Sequence, residues 1–215
     1  MRFPGGEVAG WRLTGVASES SLNIVFGAEH PDTRQRVAVL VPNPGILAYA
    51  DVPALWLEMA RRLKQDAPPN APRVLETGTW NEVPYCVQEW VDGVPASALL
   101  GDDVPGAPLE VREALAVALA AAEMLHALHG PVEAPTGIFH GTLSTAKIAI
   151  SSEGRVVVVG TPLPLGHDWI RPHYTDVARV SWLAPEQVGG DAVDTRADVY
   201  TLALVTRALL TGENP

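Results

Sequence analysis

Six histidines and one cysteine are the side chains best suited to metal chemistry in this 215-residue chain, and their spacing does not suit a metal. His126 and His129 stand three apart, at helical spacing, but no third ligand is within sequence reach. His30, His167 and His173 have no carboxylates at ligand spacing. Cys86 is alone, which excludes a disulfide framework or a cysteine metal site and suits a reducing compartment. His140 opens the segment H-G-T-L-S-T-A-K, where Thr142 and Ser144 offer hydroxyls and Lys147 a cation. A threonine hydroxyl is a poor base near neutral pH, and a lysine repels a divalent cation. His140 is therefore expected to be a satisfied core residue. Lys147 is expected to be a loop lysine reaching water, with a phosphate contact as the alternative.

The elements that must position these residues fall into two textures. From Trp11 to about Trp90 the runs W-R-L-T-G-V-A, N-I-V-F-G-A-E, R-V-A-V-L-V, R-V-L-E-T-G-T-W and P-Y-C-V-Q-E-W read as strands. H-P-D-T-R-Q supplies a tight turn between the second and third. One helix interrupts them, Val52 to Lys64, with Leu55, Met59 and Leu63 on one face and Asp51 placed to cap its start. Beyond Asp92-Gly93 come a Gly/Pro-rich connector to Pro108, an alanine-rich helix from Leu109 to Leu128 and two strands joined by S-S-E-G. An irregular stretch, 161 to 181, then precedes a helix from Asp194 to about Leu210.

The apolar content of 47% fits a folded domain, and a net charge of -10 gives no general attraction to nucleic acid or anionic lipid. The longest apolar stretch, Ala114 to Ala122, is too short to span a bilayer, so the expected location is cytoplasmic, with no membrane segment in this chain.

Several segments in chain order make a resemblance specific. V-P-Y-C-V-Q-E-W-V-D-G resembles the fifth strand and hinge of bacterial serine/threonine protein kinases, and L-H-A-L-H with F-H-G-T-L-S-T-A-K-I-A-I resembles the end of their long helix and their catalytic loop. W-L-A-P-E-Q and T-R-A-D-V-Y-T-L-A-L-V-T-R-A-L-L-T-G-E-N-P continue the match. The resemblance implies an α+β, kinase-like, two-lobed fold. Residues 1–92 would form a lobe with a five-stranded antiparallel sheet and one helix, and residues 93–215 a mainly helical lobe. The hinge would be Gln88, Glu89, Trp90 and Val91.

Phosphoryl transfer in that family needs loop glycines around the phosphates, a strand lysine paired with a helix glutamate, a catalytic aspartate and two metal ligands. By the resemblance, the glycine positions carry Ser18, Ser20 and Asn23, and the lysine position carries Leu40, with Glu58 either retained as its expected helix partner or simply a solvated helix glutamate. Thr142 stands for the catalytic aspartate, Ser144 for the usual lysine, Lys147 for the metal-binding asparagine and Gly160 for the metal-binding aspartate. His140, Ala184, Pro185, Glu186 and Asp198 match positions that brace the kinase core. The expectation is a pseudokinase without catalytic residues, metal or cofactor, leaving only weak, metal-independent nucleotide binding open. Its role would be binding or allosteric, with an active kinase, itself or a larger assembly as protein partner, and not nucleic acid. The alternatives are a residual nucleotide-binding enzyme with a non-standard transfer, or a purely structural subunit. The match stops at Glu213-Asn214-Pro215, short of the family's later helices. Glu186 is therefore expected to lack its basic partner, and the last helix to leave Leu202, Leu204, Val205, Leu209 and Leu210 short of cover.

Overall fold

The computed structural model describes residues 6–100, 108–131, 137–160, 163–164 and 180–215. It is α+β and divides into two compact units: residues 1–67 with 72–90, and residues 68–71 with 91–215. The division falls between Trp90 and Val91, inside the expected hinge.

The first unit is built on a six-stranded antiparallel sheet in the order β1-β2-β3-β4-β6-β5. Its strands are β1 (Glu7–Val8), β2 (Trp11–Glu19), β3 (Asn23–Glu29), β4 (Arg36–Pro42), β5 (Val74–Trp80) and β6 (Val83–Glu89). The five expected strands are all present, and the two-residue β1 is added at one edge. Alternation along β3 and β4 sends Ile24, Phe26, Val37, Val39 and Val41 into one core with Trp11 and Val87. Trp11 Nε1 and the Tyr85 hydroxyl both donate to the Glu76 carboxylate, so this apolar layer carries one satisfied acid. Gly78 makes that arrangement possible, because a Cβ there would lie 2.8 Å from the Tyr85 hydroxyl. In the β3–β4 turn the Asp32 and Thr33 amides donate to His30 Nδ1, which fixes this histidine as a turn residue.

Helix α1 runs Val52–Asp66. It buries Val52, Trp56, Met59, Ala60 and Leu63. The inward stripe is thus centred one residue beyond the expected Leu55, which is half-buried. Asp51 occupies the N-cap without a side-chain capping bond, contrary to expectation; its backbone is in the helical region, and Pro53 in the first turn has no N–H to cap.

In the second unit, β7 (Val94–Pro95), β9 (Ile148–Ile150) and β10 (Val156–Val158) form a sheet in the order β10-β9-β7. β8 (Ile138–Phe139) pairs with β11 (Leu163–Pro164). The S-S-E-G turn closes the β9–β10 hairpin with Gly154 at φ +79, a conformation that favours glycine. Among the described residues the helices of this unit are α2 (Ala96–Leu100), α3 (Val111–His129), α4 (Pro185–Gly189) and α5 (Arg196–Thr211). α3 packs on α5, with Ala114 and Ala121 of α3 and Ala197 and Ala208 of α5 fully buried. Such small side chains let helix axes approach closely. The expected uncovered face of α5 is corrected in part: Val205 and Leu209 are fully buried and Leu202 and Leu204 half-buried, whereas Leu210 is exposed as expected, together with Val199 and Tyr200.

Candidate functional site

The residues singled out in the sequence belong to two units, and each half of the candidate site stands by itself.

In the first unit, Ser18 is exposed on β2 opposite Val25 of β3. The turn between these strands is closed by its own side chains. Ser20 Oγ accepts the amides of Leu22 (3.3 Å) and Asn23 (3.0 Å), and the Ser20 amide donates to the Asn23 carbonyl (2.8 Å). Asn43 then clamps the turn from the end of β4, its Nδ2 donating to the Ser20 carbonyl at 2.9 Å. Three amides that an open phosphate loop would offer to an anion are therefore already donated. Asn23 is engaged as well, its Oδ1 accepting Trp56 Nε1 of α1 at 2.7 Å.

Leu40, only 4% exposed, lies between Val25 and Cys86 in register. Glu58, its expected partner, faces outward and pairs with Arg62 one turn on, N to O 3.1 Å. Of the two readings of Glu58, this placement is that of the solvated helix glutamate: a glutamate with no cation to meet is better hydrated than buried beside a leucine. Cys86 is buried, and burial pushes its thiol up to about 12. Gln88 is buried on β6, Glu89 ends that strand, and Arg36 lies 4.5 Å above the ring centroid of Trp90.

In the second unit, Asp198 organises the other half. It sits fully buried in the first turn of α5. Its carboxylate accepts the amides of His140 (2.6 Å) and Gly141 (2.8 Å) and Nε2–H of His129 (2.8 Å). His140 Nε2–H donates to the Val159 carbonyl at 3.2 Å, which leaves Nδ1 to accept the Thr142 amide at 3.4 Å. That is the pattern of a neutral imidazole with one donor and one acceptor. Burial lowers the His140 pKa from its ordinary value, with nearby Asp198 opposing and Lys147 and His129 assisting. The core role expected for His140 is the one observed.

Thr142 and Ser144 are half-buried, and Ser144 precedes the 3-10 turn Thr145–Lys147. Lys147 is also half-buried, and its charge helps to lower the His140 pKa. Gly160 has φ +142, and a Cβ there would lie 2.9 Å from His140 Nε2. A side chain at this position would displace the histidine. Thr161 and Pro162, the rest of that motif, and His167 and His173 lie outside the described residues, as does most of the 161–181 segment.

Ala184 and Pro185 open α4, with Ala184 buried. Glu186 is half-buried, and its charge helps to raise the pKa of exposed Arg196, which is held chiefly by Asp194. Sequence reasoning missed three residues: Trp56, His129 and Gln187. Gln187, 4% exposed, donates from Nε2 to the Gly141 carbonyl and accepts the Ala184 amide, both at 3.0 Å, tying the A-P-E turn to the loop after His140. Its position directly after A-P-E was the available signal. Among the described residues no cluster of three or more His, Cys, Asp or Glu could hold a metal, and no helix is long and apolar enough to cross a membrane.

No family model matches the sequence. Among curated proteins, the serine/threonine-protein kinase PknB of Mycolicibacterium smegmatis is 31% identical over 174 residues, covering 76% of this chain and 27% of the relative. The serine/threonine-protein kinase Pkn1 of Myxococcus xanthus is 28% identical over 210 residues, covering 95% of this chain and 29% of the relative. The chain thus spans about a quarter of the length of the relatives it matches. Among solved structures, the kinase domain of Mycobacterium tuberculosis PknI superposes with a TM-score of 0.68 at 24% identity, over 100% of this chain and 80% of that one. The fold is that of a protein kinase.

Proposed function

We propose, from the premise that a chain with the protein-kinase fold and bacterial serine/threonine kinase relatives is a member of that family, that this is a pseudokinase acting as a protein-binding or allosteric module. The observation that carries the reading is a contrast within the second unit. Asp198, His140, Gly141 and Gln187 keep a fully bonded frame, whereas the chemical positions on that frame hold Thr142, Lys147 and Gly160. Phosphoryl transfer depends on positioned charge: a base at the hydroxyl, metal ions on the phosphates and a strand lysine. Thr142 cannot serve as that base, Lys147 supplies a cation where a metal ligand is needed, and Leu40 supplies no charge.

Nucleotide affinity is weak for the same reason, and the closed Ser20 turn adds to it by withholding amides from phosphate. A polyphosphate would also meet a chain of net charge -10 without a metal to offset its own charge. What persists is a folded surface for another protein.

The test is a thermal-shift titration with ATP and magnesium up to millimolar concentration, paired with a radiolabelled transfer assay on the chain and on a generic basic substrate. The expected result is an unchanged midpoint and no label. A shift of several degrees, or any autophosphorylation abolished by substituting Thr142, would overturn the reading.

A further inference from the structure

The geometry points to a latch, made of the Ser20–Asn23 turn and Trp56, that holds α1 against the sheet of the first unit without nucleotide or ion pair. In an active kinase the strand lysine and helix glutamate perform this task, and their pairing sets the helix position. Here neither member is available. Leu40 is an uncharged core side chain, and Glu58 faces water beside Arg62.

A different pair spans the same two elements. Trp56, 5% exposed, projects from the inward stripe of α1 and donates its indole N–H to Asn23 Oδ1 at 2.7 Å, the shortest distance a normal bond of this type adopts. Asn23 is itself immobilised. Its amide is held by Ser20 Oγ, its carbonyl accepts both the Ser20 amide and the Ser20 hydroxyl, and its Cα pairs with Pro42 across the sheet. Asn43, one residue beyond Pro42, grips the turn from the other side. An indole anchored to so constrained an acceptor fixes the first two turns of α1.

Two properties follow. The helix has one position rather than a ligand-dependent pair, because a neutral bond between fixed groups does not respond to phosphate or magnesium. The outward face of α1, with Glu58 and Arg62, therefore keeps one orientation on the sheet of the first unit. This extends the functional reading above, and a single experiment separates the two.

Hydrogen exchange of the α1 amides is measured in the parent chain and in Asn23→Ala, Asn23→Asp and Trp56→Phe, each with and without millimolar ATP and magnesium. The indole N–H resonance of Trp56, assigned by its loss in Trp56→Phe, is followed in parallel. Asn23→Ala and Trp56→Phe should speed α1 exchange about 2- to 10-fold, the factor carried by one ordinary hydrogen bond, with β3 and β4 core amides unchanged. Asn23→Asp, which keeps the acceptor oxygen, should restore the parent rate. Should Asn23→Ala fail to fold, Trp56→Phe decides: it removes the donor together with part of the ring, and a loss of packing would speed the β3 and β4 core amides too, whereas loss of the latch leaves those unchanged. Unchanged α1 exchange in Trp56→Phe, or a nucleotide that slows α1 exchange in the parent, would overturn the latch. Nucleotide binding that leaves α1 exchange unaltered would instead remove the functional reading while the latch stands.

Discussion

His140, Asp198 and Gly160 carry the most consequential chemistry at the scale of single residues. The Asp198 carboxylate takes two backbone amides and an imidazole N–H in a fully buried setting. Its removal in Asp198→Ala would orphan the His140 and Gly141 amides at about 1–3 kcal/mol each, measured as a lower urea midpoint. His140 makes a pH prediction with a definite sign. Its folded pKa lies below the ordinary 6.5, so below that pH the unfolded chain binds the extra proton and the folded one does not. Stability is full above about pH 6.5 and declines as the pH falls through it toward the lower folded value. A urea midpoint that drops between about pH 7.5 and about pH 5.5, with a flatter profile in His140→Gln, is the expected outcome. Gly160→Asp restores the family residue by name but not in function. At φ +142 with its Cβ 2.9 Å from His140, the variant should lose about 1–3 kcal/mol and gain no transfer activity.

At the scale of elements, α1 separates core residues from exposed ones. Trp56→Ala should cost about 3–5 kcal/mol through the cavity it leaves, whereas Glu58→Ala should cost only about 0.2–0.5 kcal/mol through its pair with Arg62. Equal costs in chemical denaturation would refute the assignment of the inward face. On α3 the exposed residues Val111, Leu115 and Leu119 repeat at four-residue spacing, while Ala114, Val117 and Ala121 are buried against the core. Leu115→Glu should accordingly leave stability within about 0.5 kcal/mol of the parent.

At the scale of the whole molecule, two units of different architecture can be followed by different probes. Cys86 is buried in the first unit with its thiol pushed up to about 12, so it should resist a disulfide reagent in native buffer and react at the rate at which that unit opens. Rapid labelling in the native state would contradict that burial. Several conclusions were legible in the sequence by itself: the order of strands and helices, the kinase-like fold and the residue types at each chemical position. Alternation and helical periodicity are local signals, and identities at motif positions need no coordinates. Tertiary structure alone decided where Glu58 faces, that Trp56 rather than Leu55 leads the inward stripe, and that Ser20 and Asn23 close their own turn. It also decided that His129 and Gln187 belong to the Asp198 frame. The bonds of Trp56, Gln187 and His129 reach partners 33 to 69 positions away in the chain, a matter of packing geometry that no local pattern encodes, while the Ser20 turn and the Glu58–Arg62 pair are local bonds that several competing side-chain arrangements could have replaced.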